Sequence, residues 1–121
     1  DIEIDSYPGA LYRIIANLIL NSMMHGFEER ESGSISIKAE LEIDRVTIVY
    51  SDDGKGIDGE SIGHIFEPFY TTRRNTGGTG LGLHIVYNLV TQSLKGTIRC
   101  ISKPGLGATF IIKIPVKARE D

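Results

Sequence analysis

Residues 54–59 read GKGIDG, a literal G-x-G-x-x-G, and they follow closely on the strand-like run VTIVY at 46–50. How that hexapeptide is read decides between two folds. As a dinucleotide fingerprint it would open a long helix and then a parallel strand, with an acid about 20 residues on. The context fails, because only a turn or so of helix, SIGHIF (61–66), fits before Pro68, and no βαβ unit follows. A P-loop is excluded more firmly, since no G-K-[ST] occurs anywhere in the chain. SDDGKGIDG (51–59) is therefore turn chemistry at the end of a strand.

Working outward, residues 34–40 and 45–50, around ISIKAEL and VTIVY, alternate as paired strands do. Residues 2–4 form a short strand. Ser6 caps a helix that starts near Pro8, where proline suits the first turn, and runs to about His25, with Gly26 as its stop. Leu11, Ile14, Ile15, Leu18 and Ile19 supply its apolar stripe. A second long helix covers about 81–94, with Leu81, Ile85, Val86 and Leu89 inward. TIRCIS and TFIIKIP are two final strands, joined by the hairpin-like KPGLGA. Residues 70–80 are polar and glycine-rich, without periodicity. No repeat or linker interrupts 1–121, so the chain is one α+β domain, a mixed sheet with helices on one face.

The bulk composition agrees. At 121 residues the chain suits one core, and 40% hydrophobic with 24% charged residues is ordinary for a soluble globular protein. A net charge of −3 leaves no electrostatic footprint for nucleic acid. The single cysteine, Cys100, excludes an internal disulfide and fits a reducing compartment, as a buried strand residue. No apolar run approaches the roughly 18 residues of a membrane span, and no signal peptide is present. The chain opens on DIEID without an initiator Met, which fits a piece of something longer.

Three features carry chemistry. Asn17, Asn21 and His25 recur every four residues, a stripe drifting about 40° per step beside the apolar face of the first helix. Helix interiors do not favour asparagine, and a buried amide needs a partner. On spacing alone the stripe serves equally to cap a neighbouring strand or to face a polar ligand, with an amide oxygen able to hold a hard cation such as Mg²⁺. Asp52 and Asp53 stand at a strand end before Gly54 and Gly56. They make either a plain Asp-Gly turn or a carboxylate accepting from a ligand amino group where the backbone comes close. GGTGLGLHIVY (77–87) places Gly80, Leu81 and Gly82 at a helix start, either a flexible loop or a phosphate cradle. Together the three describe one pocket, with a base-holding carboxylate, a cation-holding amide and a phosphate-holding helix start.

In these residues the chain resembles the ATP-binding catalytic domain of sensor histidine kinases, in the superfamily shared with gyrase, heat-shock chaperone and mismatch-repair ATPases. NLILNSMMHG (17–26) is similar to the N box, DDGKG (52–56) to the first glycine box and IFEPFYTTR (65–73) to the F box. GGTGLGL (77–83) is similar to the second glycine box, and GLGATF (105–110) matches the closing strand region. The motifs keep the family's order and span nearly the whole chain. The resemblance implies a Bergerat fold, a two-layer α/β sandwich whose mixed sheet is mainly antiparallel with helices packed on one face.

It also implies roles. Asp52 accepts from the adenine amino group with Gly56 beside the ring, and His25 takes the adenine-stacking position. Asn21 holds Mg²⁺ and Asn17 supports the phosphates. Residues 70–80 form the ATP lid, with Arg73 or Arg74 reaching the γ-phosphate, while Gly80 and Gly82 let backbone amides approach. Gly54, Ile57, Phe69, Thr79 and Leu81 complete the nucleotide site. ATP is the substrate and ADP the product. Two departures stand out: Met24 replaces a lysine often found three residues after the metal asparagine, and Asp53 stands where asparagine is commoner. In the ATPase branches a glutamate occupies the position of Asn17 and activates water. An amide cannot, so the resemblance implies weak hydrolysis and transfer of phosphate to another acceptor.

In the family that acceptor is a histidine on a separate dimeric helical hairpin, with a response regulator downstream. His25, His64 and His84 lie inside the nucleotide-binding fold, so the chain is expected to hold the ATP half of the enzyme and to label itself little or not at all. His64 and His84 are surface or packing residues. ATP and a reducing environment place the domain in the cytoplasm, without direct membrane contact of its own, whether or not the parent is a membrane-bound sensor. Two other readings stay open: a regulatory module that senses ATP without transferring phosphate, and a serine kinase of the anti-sigma-factor type.

Overall fold

Alternation in RVTIVYSD and ATFIIKIP sends every second side chain of two strands to one face, and those side chains build the core. The computed structural model describes residues 2–3, 8–27, 32–68 and 82–118. The Ser6 cap, Leu81 and the 70–80 segment named above lie outside the described residues. Within them the order is β1 (Ile2–Glu3), α1 (Pro8–Asn21), β2 (Ile35–Leu41), β3 (Arg45–Asp52), α2 (Gly82–Asn88), β4 (Thr97–Ser102), β5 (Ala108–Pro115) and β6 (Lys117–Ala118). Four strands form a sheet in the order β2-β3-β5-β4, and every described pairing is antiparallel. The expected α+β fold with a mainly antiparallel sheet is what the structure has. A two-stranded ribbon, with Ile2 opposite Ala118, ties the two ends of the chain together. Its β6 partner carries no periodicity long enough to have been read in sequence.

Register places Ile48 opposite Ile112, Tyr50 opposite Phe110 and Asp52 opposite Ala108 on the inner face. Ala10, Ile14 and Leu18 of α1 and Val86 of α2 cover that face, joined by Val90 and Leu94 just beyond α2. Each fully buried branched aliphatic side chain here contributes about 1.5–3 kcal/mol relative to exposure. The second helix buries Val90 and Leu94 more deeply than the expected Leu89, because its geometry changes before it ends. α2 gives way to a π-helical turn over Leu89–Ser93, closed by Leu94 N–H donating to the Leu89 carbonyl at 2.9 Å. The same device ends the first helix. After Asn21 the chain widens into a π-helical turn over Ser22–Gly26, and Phe27 N–H donates to the Ser22 carbonyl at 2.8 Å. A π turn inserts an extra residue per turn and re-aims the side chains beyond it, which is why such turns gather at functional sites.

Candidate functional site

The site is organised by the last residue of β3. Asp52 is 9% exposed, and its Oδ1 accepts from the backbone N–H groups of Gly54 (3.0 Å) and Ala108 (3.1 Å). Its Oδ2 accepts from Ser22 Oγ at 2.7 Å. Ser22 opens the π turn, directly after the asparagine stripe. Ser22 is fully buried and lies 2.7 Å from the Tyr50 hydroxyl, which also reaches the Leu18 carbonyl at 3.0 Å. Among the described residues the ion pairs are Arg45–Glu42 and His64–Glu67, so no described cation neutralises Asp52. A buried carboxylate satisfied by uncharged donors retains acceptor capacity for a ligand N–H.

Backbone contacts lock the surrounding loop. Lys55 N–H donates to the Gly26 carbonyl at 2.8 Å, and a Cβ on Gly54 would overlap that same carbonyl. On the other side, Gly105 N–H donates to the Lys55 carbonyl at 2.6 Å. Ile57 N–H donates to Ser102 Oγ at 2.8 Å, and that hydroxyl donates on to the Gly107 carbonyl at 2.6 Å. Gly56 and Gly107 sit at φ +79° and +72°, a region L side chains rarely adopt. The acidic loop is thus held between the end of α1 and the β4–β5 connection. Asp53 is engaged elsewhere: its Oδ1 accepts from Ser34 N–H at 2.8 Å, which ties the loop to the start of β2.

The asparagine stripe runs along the other side. Asn17 Nδ2 donates to the Arg13 carbonyl one turn back at 2.8 Å. Because only the nitrogen can donate, the amide orientation is fixed, and Oδ1 is left as the acceptor beside Gly82, 3.7 Å from where a Cβ would stand. Asn21 ends α1, half-buried, and Met24 and His25 follow in the π turn, also half-buried. The structure therefore brings together Asn17 and Gly82 at one end, and Gly26, Asp52, Gly54, Gly56 and Ile57 at the other, with Asn21 and His25 on the stretch of chain that leads from Asn17 to Gly26. Phe69, Arg73, Arg74, Thr79, Gly80 and Leu81 lie outside the described residues. Sequence reasoning missed Ser22, Tyr50, Ser102 and Gly107. Only the alternation that places Tyr50 on the same strand face as Asp52 offered a signal.

His64, His84 and Cys100 stand in surroundings of their own. His64 is exposed and paired with Glu67 at 2.6 Å. His84 faces the Phe66 carbonyl through Nδ1 (3.2 Å), so that nitrogen donates and Nε2 accepts from Asn88 Nδ2 (3.2 Å). Cys100 is half-buried in β4, and burial, aided by the charge of Asp52, pushes its thiol up to about 12. Among the described residues no cluster of three His, Cys, Asp or Glu could hold a metal, and no helix is long and apolar enough to cross a membrane.

Comparison with known proteins agrees with this geometry. Residues 7–118 match the family described as histidine kinase-, DNA gyrase B-, and HSP90-like ATPase. Over 119 residues the chain is 41% identical to the sensor histidine kinase ZraS of Salmonella typhimurium, covering 98% of this chain but 24% of that protein. The catalytic domain of histidine kinase ThkA, in a nucleotide-free form, superposes with a TM-score of 0.75 at 29% identity, over 91% of this chain and 69% of that one. Full-length ShkA in complex with AMPPNP gives 0.76 at 28% identity, over 93% and 23%.

Proposed function

Because the chain belongs to the histidine kinase-, DNA gyrase B- and HSP90-like ATPase family, we propose that it binds Mg-ATP and passes the γ-phosphoryl group to a histidine on a separate helical hairpin. The observation that carries this reading is Asp52, a buried carboxylate clamped by Gly54, Ala108 and Ser22 with no described cation against it. A carboxylate at a strand end, with glycine backbone crossing beside it, suits the exocyclic amine of adenine. His25 flanks the ring, and Gly54, Gly56 and Ile57 form the floor. The solved AMPPNP complex of the related ShkA supports a nucleotide in this fold.

The donor set fits a hard cation. Asn17 presents an amide oxygen toward the start of α2, and Asn21 stands one turn further on. Mg²⁺ prefers a few oxygen ligands plus substrate phosphates, and amide oxygens supply these. Asn21 would hold the ion, and Asn17, which keeps a second amide N–H beyond the one given to Arg13, would support the phosphates. When bound, the ion neutralises charge on the transferring phosphoryl group. The chain's own part is positioning: the end of β3 holds the base, α1 and the start of α2 hold the phosphates, and Arg73 or Arg74 reaches the γ-phosphate. Asn17 cannot take a proton from water, so transfer to an external acceptor prevails over hydrolysis.

The chain spans 24% of ZraS, and on this reading the phosphoacceptor hairpin would lie in another part of the parent kinase, with a response regulator downstream. The domain works in the cytoplasm and labels itself little or not at all. Calorimetric titration of a non-hydrolysable ATP analogue with Mg²⁺, on wild type and Asp52→Ala, tests the site. Binding by the wild type and its loss in the variant are expected. Equal binding by both would place adenine elsewhere. Addition of the helical hairpin in trans should then give an acid-labile phosphohistidine, whereas an acid-stable product would point to serine.

A further inference from the structure

With Asp52 as acceptor, the hydroxyls beneath it take one order. Three contacts link Asp52 Oδ2 to Ser22 Oγ (2.7 Å), Ser22 Oγ to Tyr50 OH (2.7 Å) and Tyr50 OH to the Leu18 carbonyl (3.0 Å), and two hydroxyl protons serve all three. A carboxylate oxygen accepts only, so the Ser22 proton goes to Asp52. The Ser22–Tyr50 contact must then be filled by the Tyr50 proton, with Leu18 taking the longer share. Ser22 and Tyr50 are both 0% exposed, so water cannot supply an alternative partner. Both lone pairs of Oδ1 are already used by Gly54 and Ala108, which leaves one on Oδ2. A Cβ on Gly26 would stand 3.2 Å from that oxygen, so the chain keeps its neighbourhood bare.

We propose that Tyr50 and Ser22 are positioning residues, a buried hydroxyl chain that fixes the Asp52 carboxylate as an acceptor-only group and makes the site select a 6-amino purine over a 6-oxo or unsubstituted one. The inference rests on the reading that Asp52 meets the base. No hydroxyl proton in the chain is left to turn toward a ligand carbonyl, so a 6-oxo purine would set oxygen against oxygen. A purine without a 6-substituent would forgo the bond to Oδ2 and lose affinity without repulsion.

The test compares the Mg²⁺ complexes of ATP, purine riboside triphosphate and inosine triphosphate on the chain as it stands. Wild type should prefer ATP over purine riboside triphosphate, and that one over inosine triphosphate. Ser22→Ala should weaken ATP about tenfold while leaving purine riboside triphosphate unchanged, the magnitude of a lost hydrogen bond to a charged group. A loosened fold would lower all three nucleotides alike. Tyr50→Phe, which keeps the ring and its packing, should narrow the discrimination against inosine triphosphate, and it serves as the deciding variant if Ser22→Ala does not fold. Unaltered preference in the deciding variant overturns the inference. A wild type indifferent to the 6-position instead removes the base-reading role of Asp52 itself.

Discussion

Asn17 and Gly82 face each other between the two long helices, with the Asn17 side-chain oxygen 3.7 Å from the position a Gly82 Cβ would occupy. That spacing is ordinary van der Waals contact, so alanine fits without strain at the first residue of α2. Gly82→Ala should therefore hold the melting temperature or raise it slightly, since only part of the roughly 0.5–1 kcal/mol by which alanine is favoured over glycine inside a helix applies at its first residue. The methyl would nevertheless stand between the Asn17 oxygen and an approaching phosphate. An affinity for the Mg²⁺ complex of an ATP analogue reduced about tenfold is expected in calorimetry, corresponding to ~1.4 kcal/mol. A stable variant with wild-type affinity would remove Gly82 from the phosphate site.

Asn17 also bears on the fate of the phosphate. Its amide nitrogen is committed to the Arg13 carbonyl, and an amide has no basicity with which to activate water. Asn17→Glu should raise ATP hydrolysis by the isolated domain by one to two orders of magnitude, toward the roughly 10²–10⁴-fold that a positioned base contributes. Phosphate release over time, followed at equal nucleotide saturation, makes the comparison. Hydrolysis as fast in the wild type as in the variant would leave the argument from position 17 without support.

Much of this architecture was legible because periodicity is local. VTIVY and TFIIKIP alternate, and Ile14 and Leu18 recur at the helical interval, so strands, helices and the buried faces followed from spacing. What was not legible depended on contacts distant in sequence. Ser22 reads as an unremarked neighbour of Asn21 until the chain folds, when it opens a π turn and its hydroxyl meets a carboxylate 30 residues away. No residue type marks such a turn in advance, because the extra residue is accommodated by packing rather than propensity. Tyr50 reads as an ordinary strand aromatic, and its burial explains the position but not the hydroxyl. The β4–β5 connection reads as a hairpin loop, whereas Ser102 and Gly107 brace the acidic loop from a different hairpin. The two glycine clusters were each ambiguous alone. The place of the first, at 54–59, came from where α1 and β3 end relative to each other, and the second lies mostly outside the described residues.

Gly107 tests that bracing. Its φ of +72° disfavours any L side chain, and a Cβ there would overlap the Asp52 carbonyl. Both effects act on backbone, which cannot yield as a flexible side chain can. Gly107→Ala should destabilise the fold by at least about 2 kcal/mol, of which about 1–2 kcal/mol is the left-handed conformation alone. The melting temperature should fall by several degrees or more. Gly105→Ala is the matched comparison, because its φ of +81° carries the same conformational penalty with nothing within 4 Å of its Cβ. The excess loss in Gly107→Ala over Gly105→Ala measures the crowding against Asp52. Equal losses would mean that the loop moves aside at no cost.

Alkaline pH should act on two groups in the core. Tyr50 is held above its ordinary value of 10.0 by burial first, with the hydrogen bond to Ser22 next and opposing it, and the charge of Asp52 adding a smaller upward push. Cys100 is raised from 9.0 to about 12, by burial first and the same carboxylate second. In both cases the unfolded chain releases its proton before the folded one does, so above the unfolded value the folded state binds more protons and stability falls with rising pH. Their contributions are fully present below about pH 9 and are lost in two steps, Cys100 from about pH 9 and Tyr50 from about pH 10. Urea midpoints measured from pH 7 to 11 should therefore stay level and then decline from near pH 9. Cys100→Val, which keeps a small apolar side chain at the half-buried β4 position, should delay the onset by about one pH unit. Tyr50→Phe should flatten the later part of the decline while lowering stability at pH 7, because Leu18 and Ser22 lose a donor. An onset that stays near pH 9 in Cys100→Val would assign the alkaline loss to other groups.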